Sequence, residues 1–171
     1  MRYQRRYRAP RWLALACVLL GFSRVTRADN TKSGASMSVE IRLACAEAKR
    51  TAEGWSLKVS LRFTNHGHET FDLDKVSIGD HGEIENNVFE IRHGEQKISY
   101  RGIMKKRAPP GPSGFYHLAP GKTHVVTLRL DRDYALPAEG GELTVVFATM
   151  NHFSKDAVEL RSNAVTCTLR P

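Results

Sequence analysis

Three groups of residues have the types and spacing that chemistry needs. His66-Gly-His68 stands close before Asp72 and Asp74. That alternation can set two imidazoles on one side of a turn, near carboxylates that zinc also accepts. Solvated turn histidines are the competing reading, and Asp80, His81 and His152 lie in polar connections with no further ligand close by in sequence. No metal site is therefore expected. Nor does the chain carry a Gly-x-Ser-x-Gly elbow or a glycine-rich phosphate loop opening a helix. We expect no catalytic residue, no bound cofactor and no enzymatic activity.

The second group is Cys45 and Cys167. The only other cysteine, Cys17, sits in a leader-like segment described below. Two cysteines in an exported chain usually pair, because the compartment is oxidising. Val39, Ile41, Leu43 and Cys45 share one face of a period-two strand, as do Val165, Cys167 and Leu169, so both sulfurs are expected to face the core. Two reduced, buried thiols are the alternative.

The third group is the basic run Lys105-Lys106-Arg107, closed by Pro109-Pro110-Gly111-Pro112. Proline cannot donate to a strand ladder, so this is a loop, and prolines restrict it. Its cations can offer charge-assisted hydrogen bonds to acidic groups, Arg107 in a planar fork. These three are the candidate partner-binding residues. The competing reading is that they keep a sheet edge soluble.

The elements that must position these groups are strands. Phe89 and Ile91, then Ile98 and Tyr100, alternate with polar residues about His93-Gly94-Glu95, which predicts a hairpin leading into the basic loop. Trp55, Leu57, Val59, Leu61 and Phe63 form the cleanest alternation, and Trp55 reads as core rather than as a sugar-stacking platform. Further strands are expected at 37–44, 71–73, 76–78, 115–118, 124–130, 143–147, 158–160 and 164–169. Residues 45–51 read as a connection. Tyr134, at a corner, is placed to turn its hydroxyl back to the backbone, as in immunoglobulin-like sandwiches. About eight to ten short strands, frequent turns and no long helical period predict an all-β fold, an antiparallel immunoglobulin-like β-sandwich.

The chain opens with Arg2, Arg5, Arg6, Arg8 and Arg11, then an apolar run from Trp12 to Phe22, then Thr26-Arg27-Ala28. This reads as a secretory signal peptide over residues 1–28; the apolar run is too short for a membrane span of about 20 residues. Residues 29–36 are small and polar, an expected flexible N-terminus to a domain at 37–171. Of the 26 basic residues, seven arginines lie in 1–28, which leaves 19 against 18 acidic ones. The whole-chain charge of +8 is thus a property of the leader, and nucleic acid is not an expected partner. The mature chain is expected to be secreted or periplasmic, without an integral membrane segment.

The ordered series Leu61-Arg-Phe-Thr-Asn65, Asn87-Val-Phe89-Glu-Ile91, Gly94, Tyr100-Arg-Gly102, Lys106-Arg107, Leu118-Ala-Pro-Gly121, Leu130, Tyr134 and Ser162-Asn163 resembles the N-terminal β-sandwich region of deuterolysin-like (aspzincin) metalloproteases. Those enzymes bind zinc through a His-Glu-x-x-His helix and an aspartate in a Gly-Thr-x-Asp segment, and neither motif occurs here. The resemblance implies the fold and a peptidase-related partner, not proteolysis. The expected function is an exported, non-catalytic protein-interaction module, a partner or inhibitor of a secreted metalloprotease. Alternatives are a ligand- or carbohydrate-binding sandwich using Phe115, Tyr116 and Phe153, or a structural envelope protein.

Overall fold

Alternation of apolar and polar side chains over short runs, broken by glycine and proline, builds strands and almost nothing else. The computed structural model describes residues 38–153 and 157–170, so the leader expected at 1–28 and the terminus at 29–36 lie outside the described residues. Its strands are β1 (Val39–Thr51), β2 (Gly54–Asn65), β3 (Phe71–Asp74), β4 (Phe89–His93), β5 (Gln96–Lys97), β6 (Phe115–Leu118), β7 (Thr123–Arg129), β8 (Gly141–Asn151), β9 (Val158–Arg161) and β10 (Val165–Leu169). All pairings are antiparallel.

One sheet has the order β1-β2-β7 and a second the order β10-β8-β4-β5, with β9 paired to β8 beside β10. A short third sheet pairs β3 with β6. The inward residues of the first two sheets, among them Leu57, Val59, Leu61 and Phe63 facing Ile91, Leu143, Val145 and Phe147, form one apolar core. The fold is thus an all-β sandwich of antiparallel sheets. Edge-to-face rings run through it: Phe63 meets Phe147 at 5.9 Å, Phe147 meets Phe89 at 5.5 Å, Phe89 meets Tyr134 at 6.2 Å, and Tyr134 meets Tyr100 at 5.1 Å. Such pairs add about 0.5–1.5 kcal/mol each beyond area burial.

Where ladders stop, backbone groups need other partners, and asparagines supply them. Buried Asn65, ending β2, donates to Leu118 O of β6 at 2.8 Å and to Glu69 O at 2.7 Å. Buried Asn151, ending β8, accepts from Asp74 N at 3.1 Å and donates to Asp72 O at 2.8 Å, tying on β3. Asn163, in the break between β9 and β10, accepts from Leu43 N at 2.8 Å and donates to Leu43 O at 3.2 Å. It therefore joins the outer edge of β1 to the opposite sheet.

The same rim carries the Cys45–Cys167 disulfide, Cα–Cα 5.7 Å, within the range that needs no backbone movement. The pairing and the inward register of Cys45, opposite buried Val59, are as expected, but its burial is not. Cys167 is buried, but Cys45 is exposed. The register shifts between Cys45 and Glu47, leaving Ala46 as the extra residue of a β-bulge. Residues 45–51 are accordingly the second half of β1 rather than a connection, and they run past the core with mostly exposed side chains.

One further expectation is corrected and another is met with a distant partner. Residues 76–78 are turn, not strand: Asp74 Oδ1 accepts from Val76 N at 3.2 Å, and Ile78 N bonds back to Asp74 O at 3.1 Å. A side-chain turn of that kind curls the chain before it can extend. The Tyr134 hydroxyl does reach backbone, but far away in sequence: it accepts from Phe89 N at 2.9 Å and donates to Asn87 Oδ1 at 2.9 Å. Burial pushes this phenol well above its ordinary pKa, against the opposing hydrogen bond from Phe89, so it stays a proton donor.

Replacing both Cys45 and Cys167 with serine should lower the unfolding free energy by about 4 kcal/mol, because the bond closes a sequence separation of 122 residues. A urea midpoint unchanged in that double variant would show that the bond constrains nothing. Tyr134→Phe strands the Phe89 N–H and should cost about 1–2 kcal/mol with no change in the denaturant slope.

Candidate functional site

The loop carrying the basic run begins where the chain of rings ends. Tyr100 forms an isolated antiparallel bridge with Tyr134, and Arg101 N donates to Asp133 O at 2.7 Å. The Tyr100 hydroxyl donates to Ile103 O at 2.7 Å, folding the loop back over the ring. Burial, then the charges of Asp133 and Glu85, raise the Tyr100 pKa, which keeps that donor protonated. A Cβ at Gly102 would lie 2.5 Å from the Tyr100 hydroxyl and 2.5 Å from Asp133 Oδ1, so a side chain there would push one of them aside. Burial likewise raises Asp133 itself, despite Arg132.

Further along, Lys105 N bonds to Glu85 O at 3.3 Å and its ammonium pairs with the Glu85 carboxylate at 3.3 Å. Arg107 then turns inward. Its Nη2 donates to Asp74 Oδ2 and lies 3.3 Å from Ser77 Oγ, which itself donates to Asp74 Oδ2 at 2.7 Å. The Asp74 side chain is 1% exposed and that of Arg107 is 22% exposed. The guanidinium also covers the Phe153 ring, 5.3 Å from its centroid. The loop closes through a single turn of 3-10 helix at Pro112–Gly114, and Gly114 O accepts from Lys75 N at 3.0 Å.

The three expected partner-binding residues are therefore not equivalent. Arg107 anchors the loop to a buried carboxylate, Lys105 lies at the surface in an exposed ion pair, and Lys106 has no ion pair among the described residues. What the loop does present is Ile103 and Met104, 62% and 74% exposed. Sequence reasoning passed over this pair. The available signal was two apolar residues lying outside any alternation, between Gly102 and the cations.

Two depressions flank the loop. One, about 290 Å³, is lined by Lys105, Arg107, Met150, His152 and Phe153; the other, about 380 Å³, by Ile98, Tyr100 and Met104; Asn87 lines both. A separate groove of about 610 Å³ lies over β1 and β2, beside Arg42, Arg62 and Asn163.

The histidine and carboxylate candidates disperse into pairs. His66 meets Glu40 at 3.1 Å, His117 meets Asp72 at 2.6 Å, and His124 meets Asp80 at 2.6 Å. Among the described residues no three His, Cys, Asp or Glu converge in a way that could hold a metal ion. Trp55 is buried, with its indole N–H on Ala138 O at 3.2 Å. Tyr116 stacks on His124 at 3.7 Å, Phe153 lies under Arg107, and Phe115 is half-buried, so the proposed stacking rings are largely engaged. Among the described residues no helix is long and apolar enough to cross a membrane.

The sequence matches no protein-family model and no curated protein.

Arg107 is the one cation paired with buried Asp74 among the described residues, and removing it leaves an uncompensated charge, so Arg107→Ala should cost about 3 kcal/mol. Lys106→Ser should stay within about 0.5 kcal/mol of the parent. Equal urea midpoints for the two variants would show that Arg107 does not anchor the loop.

Proposed function

We propose that this chain is an exported, non-catalytic protein-interaction module that docks through the loop at 101–113. The observation that carries the reading is the exposed pair Ile103 and Met104 on a loop held at Tyr100, Lys105 and Arg107. Adjacent large apolar side chains held in water on an anchored loop mark a contact surface. A loop already fixed loses little entropy on docking. The disulfide supports an oxidising location, secreted or periplasmic.

The sequence resemblance supports a secreted metalloprotease as the partner, inhibited or assisted by this chain. An immunoglobulin-like arrangement of the strands belongs to the same proposal and is supported by two antiparallel sheets sharing one core. A non-catalytic role is supported by the scattering of candidate acid–base residues into separate pairs.

Immobilised protein should capture a partner from culture supernatant or periplasm, with chelator-sensitive proteolysis in the captured fraction. Ile103→Ser with Met104→Ser should weaken that capture at least about tenfold, a loss of about 1.4 kcal/mol, with thermal unfolding unchanged. Lys105→Ser with Lys106→Ser should weaken it less and make it less salt-sensitive. A partner whose affinity ignores all four substitutions would move the contact to another face. A captured fraction without chelator-sensitive proteolysis would remove the metalloprotease.

A further inference from the structure

The groove beside Arg107 has features that a merely structural ion pair does not need. The guanidinium is fixed from behind: Nη2 is committed to Asp74 and Ser77, and the Phe153 ring lies against the group. Nε and Nη1 donate to nothing among the described residues. No buried side-chain nitrogen or oxygen among those residues lacks a partner, so these donors are open to solvent rather than stranded. Lys105, whose pair with Glu85 is half exposed, lines the same groove as His152. An exposed pair of this kind contributes little and exchanges readily.

We infer that the groove is a carboxylate clamp for one acidic side chain of a bound polypeptide, with Arg107 as its fixed donor and Lys105 as its movable one. The groove, about 290 Å³, has room for a single side chain. Lys105 and Arg107 line the groove while no carboxylate among the described residues does, so the lining favours an anion. Holding a guanidinium through one nitrogen leaves the others aimed, and a charge-assisted hydrogen bond from an immobilised donor costs little ordering.

The neighbours say what should flank the acid. Met150 lines the groove and is partly exposed, Met104 lines the adjoining depression, and Asn87 lines both. Methionine adapts to many apolar shapes. The segment that fits is extended, with an acidic residue next to an apolar one that packs against Met104. This inference rests on the proposed docking loop and names the chemistry its partner must present.

The test is a titration of isotope-labelled protein, followed by NMR, with a pool of acetylated pentapeptide amides. Each carries a central Glu flanked by Leu, Phe or Val, and a second pool carries Gln instead. The Glu pool should move the Arg107 Nε–H signal together with the Lys105 and His152 amides, and the Gln pool should bind at least about tenfold more weakly. Lys105→Ser, which leaves the Asp74 anchor intact, should weaken the Glu pool about threefold or more and reduce its salt dependence. Unmoved signals at about 10 mM peptide, far above any useful affinity, would overturn the clamp. So would equal binding of the two pools, or shifts confined to the groove over β1 and β2. If the captured partner still needs Ile103 and Met104 while the Glu pool leaves Arg107 unmoved, the clamp falls and the docking loop stands. If the pool binds and the partner ignores Ile103 and Met104, the reverse holds.

Discussion

Placing the Asp74 carboxylate at the inner end of β3 constrains everything around it. A charge at 1% exposure is tolerated only with a counter-charge and hydrogen bonds for its lone pairs. The chain meets that demand with three donors: Val76 N and Ser77 Oγ come from the turn that follows, and Arg107 from a loop 33 residues on. Each donor then fixes a piece of architecture. The turn at 75–80 curls because the Val76 amide is claimed, and the loop at 101–114 is held down because its arginine is claimed. A well-packed apolar pair in the same place would stabilise as much or more. What the ion pair contributes is position, since only one arrangement of the loop brings the guanidinium to this carboxylate.

The sandwich shows a related constraint at its seams. Three sheets mean several places where a ladder ends and an amide or carbonyl faces inward unpaired. Asn65, Asn151 and Asn163 each offer a donor and an acceptor on one short side chain, the pattern of a strand backbone itself. Each stands at a different seam: β2 to β6, β8 to β3, and β9–β10 to β1. The Asn163 seam also carries the disulfide, so the outer edge of β1 is covered covalently and by hydrogen bonds. Sheet edges left bare recruit other chains.

The strands that were legible in the sequence are those buried on one face and wet on the other. β2, β7 and β8 alternate because half of each faces a shared core, and Val126, Leu128 and Leu130 are buried as their spacing implies. The cysteine pairing was legible for the same reason, since Leu43 and Leu169 have the expected inward registers. Cys45 keeps the inward register opposite buried Val59 but stays exposed because β1 is the outer strand of its sheet and runs past the core there, an edge position which no alternation announces. Residues 76–78 looked extended because two apolar residues were spaced by two, whereas Asp74 just before them dictated a turn. At the candidate site the three cations were visible as a run, but their division of labour was not. Whether an arginine reaches outward to a partner or inward to a carboxylate depends on Asp74 and Ser77, which are distant in sequence.

That division links stability to presentation. The ring series from Phe63 to Tyr100 carries packing from the centre of the core to the root of the loop, and the Tyr100 hydroxyl on Ile103 O passes that rigidity to the backbone. At the other end Arg107 and the turn at Pro112–Gly114 do the same. Between Tyr100 and Arg107 the run 103–106 is exposed throughout, two apolar and two cationic. A flexible segment would collapse its apolar side chains onto the nearest surface, and only a loop held at both ends keeps Ile103 and Met104 in water. The Arg107–Asp74 pair thus helps to hold the loop on which those two side chains are exposed, and a change at Asp74 would be felt at Ile103 and Met104 without either being altered.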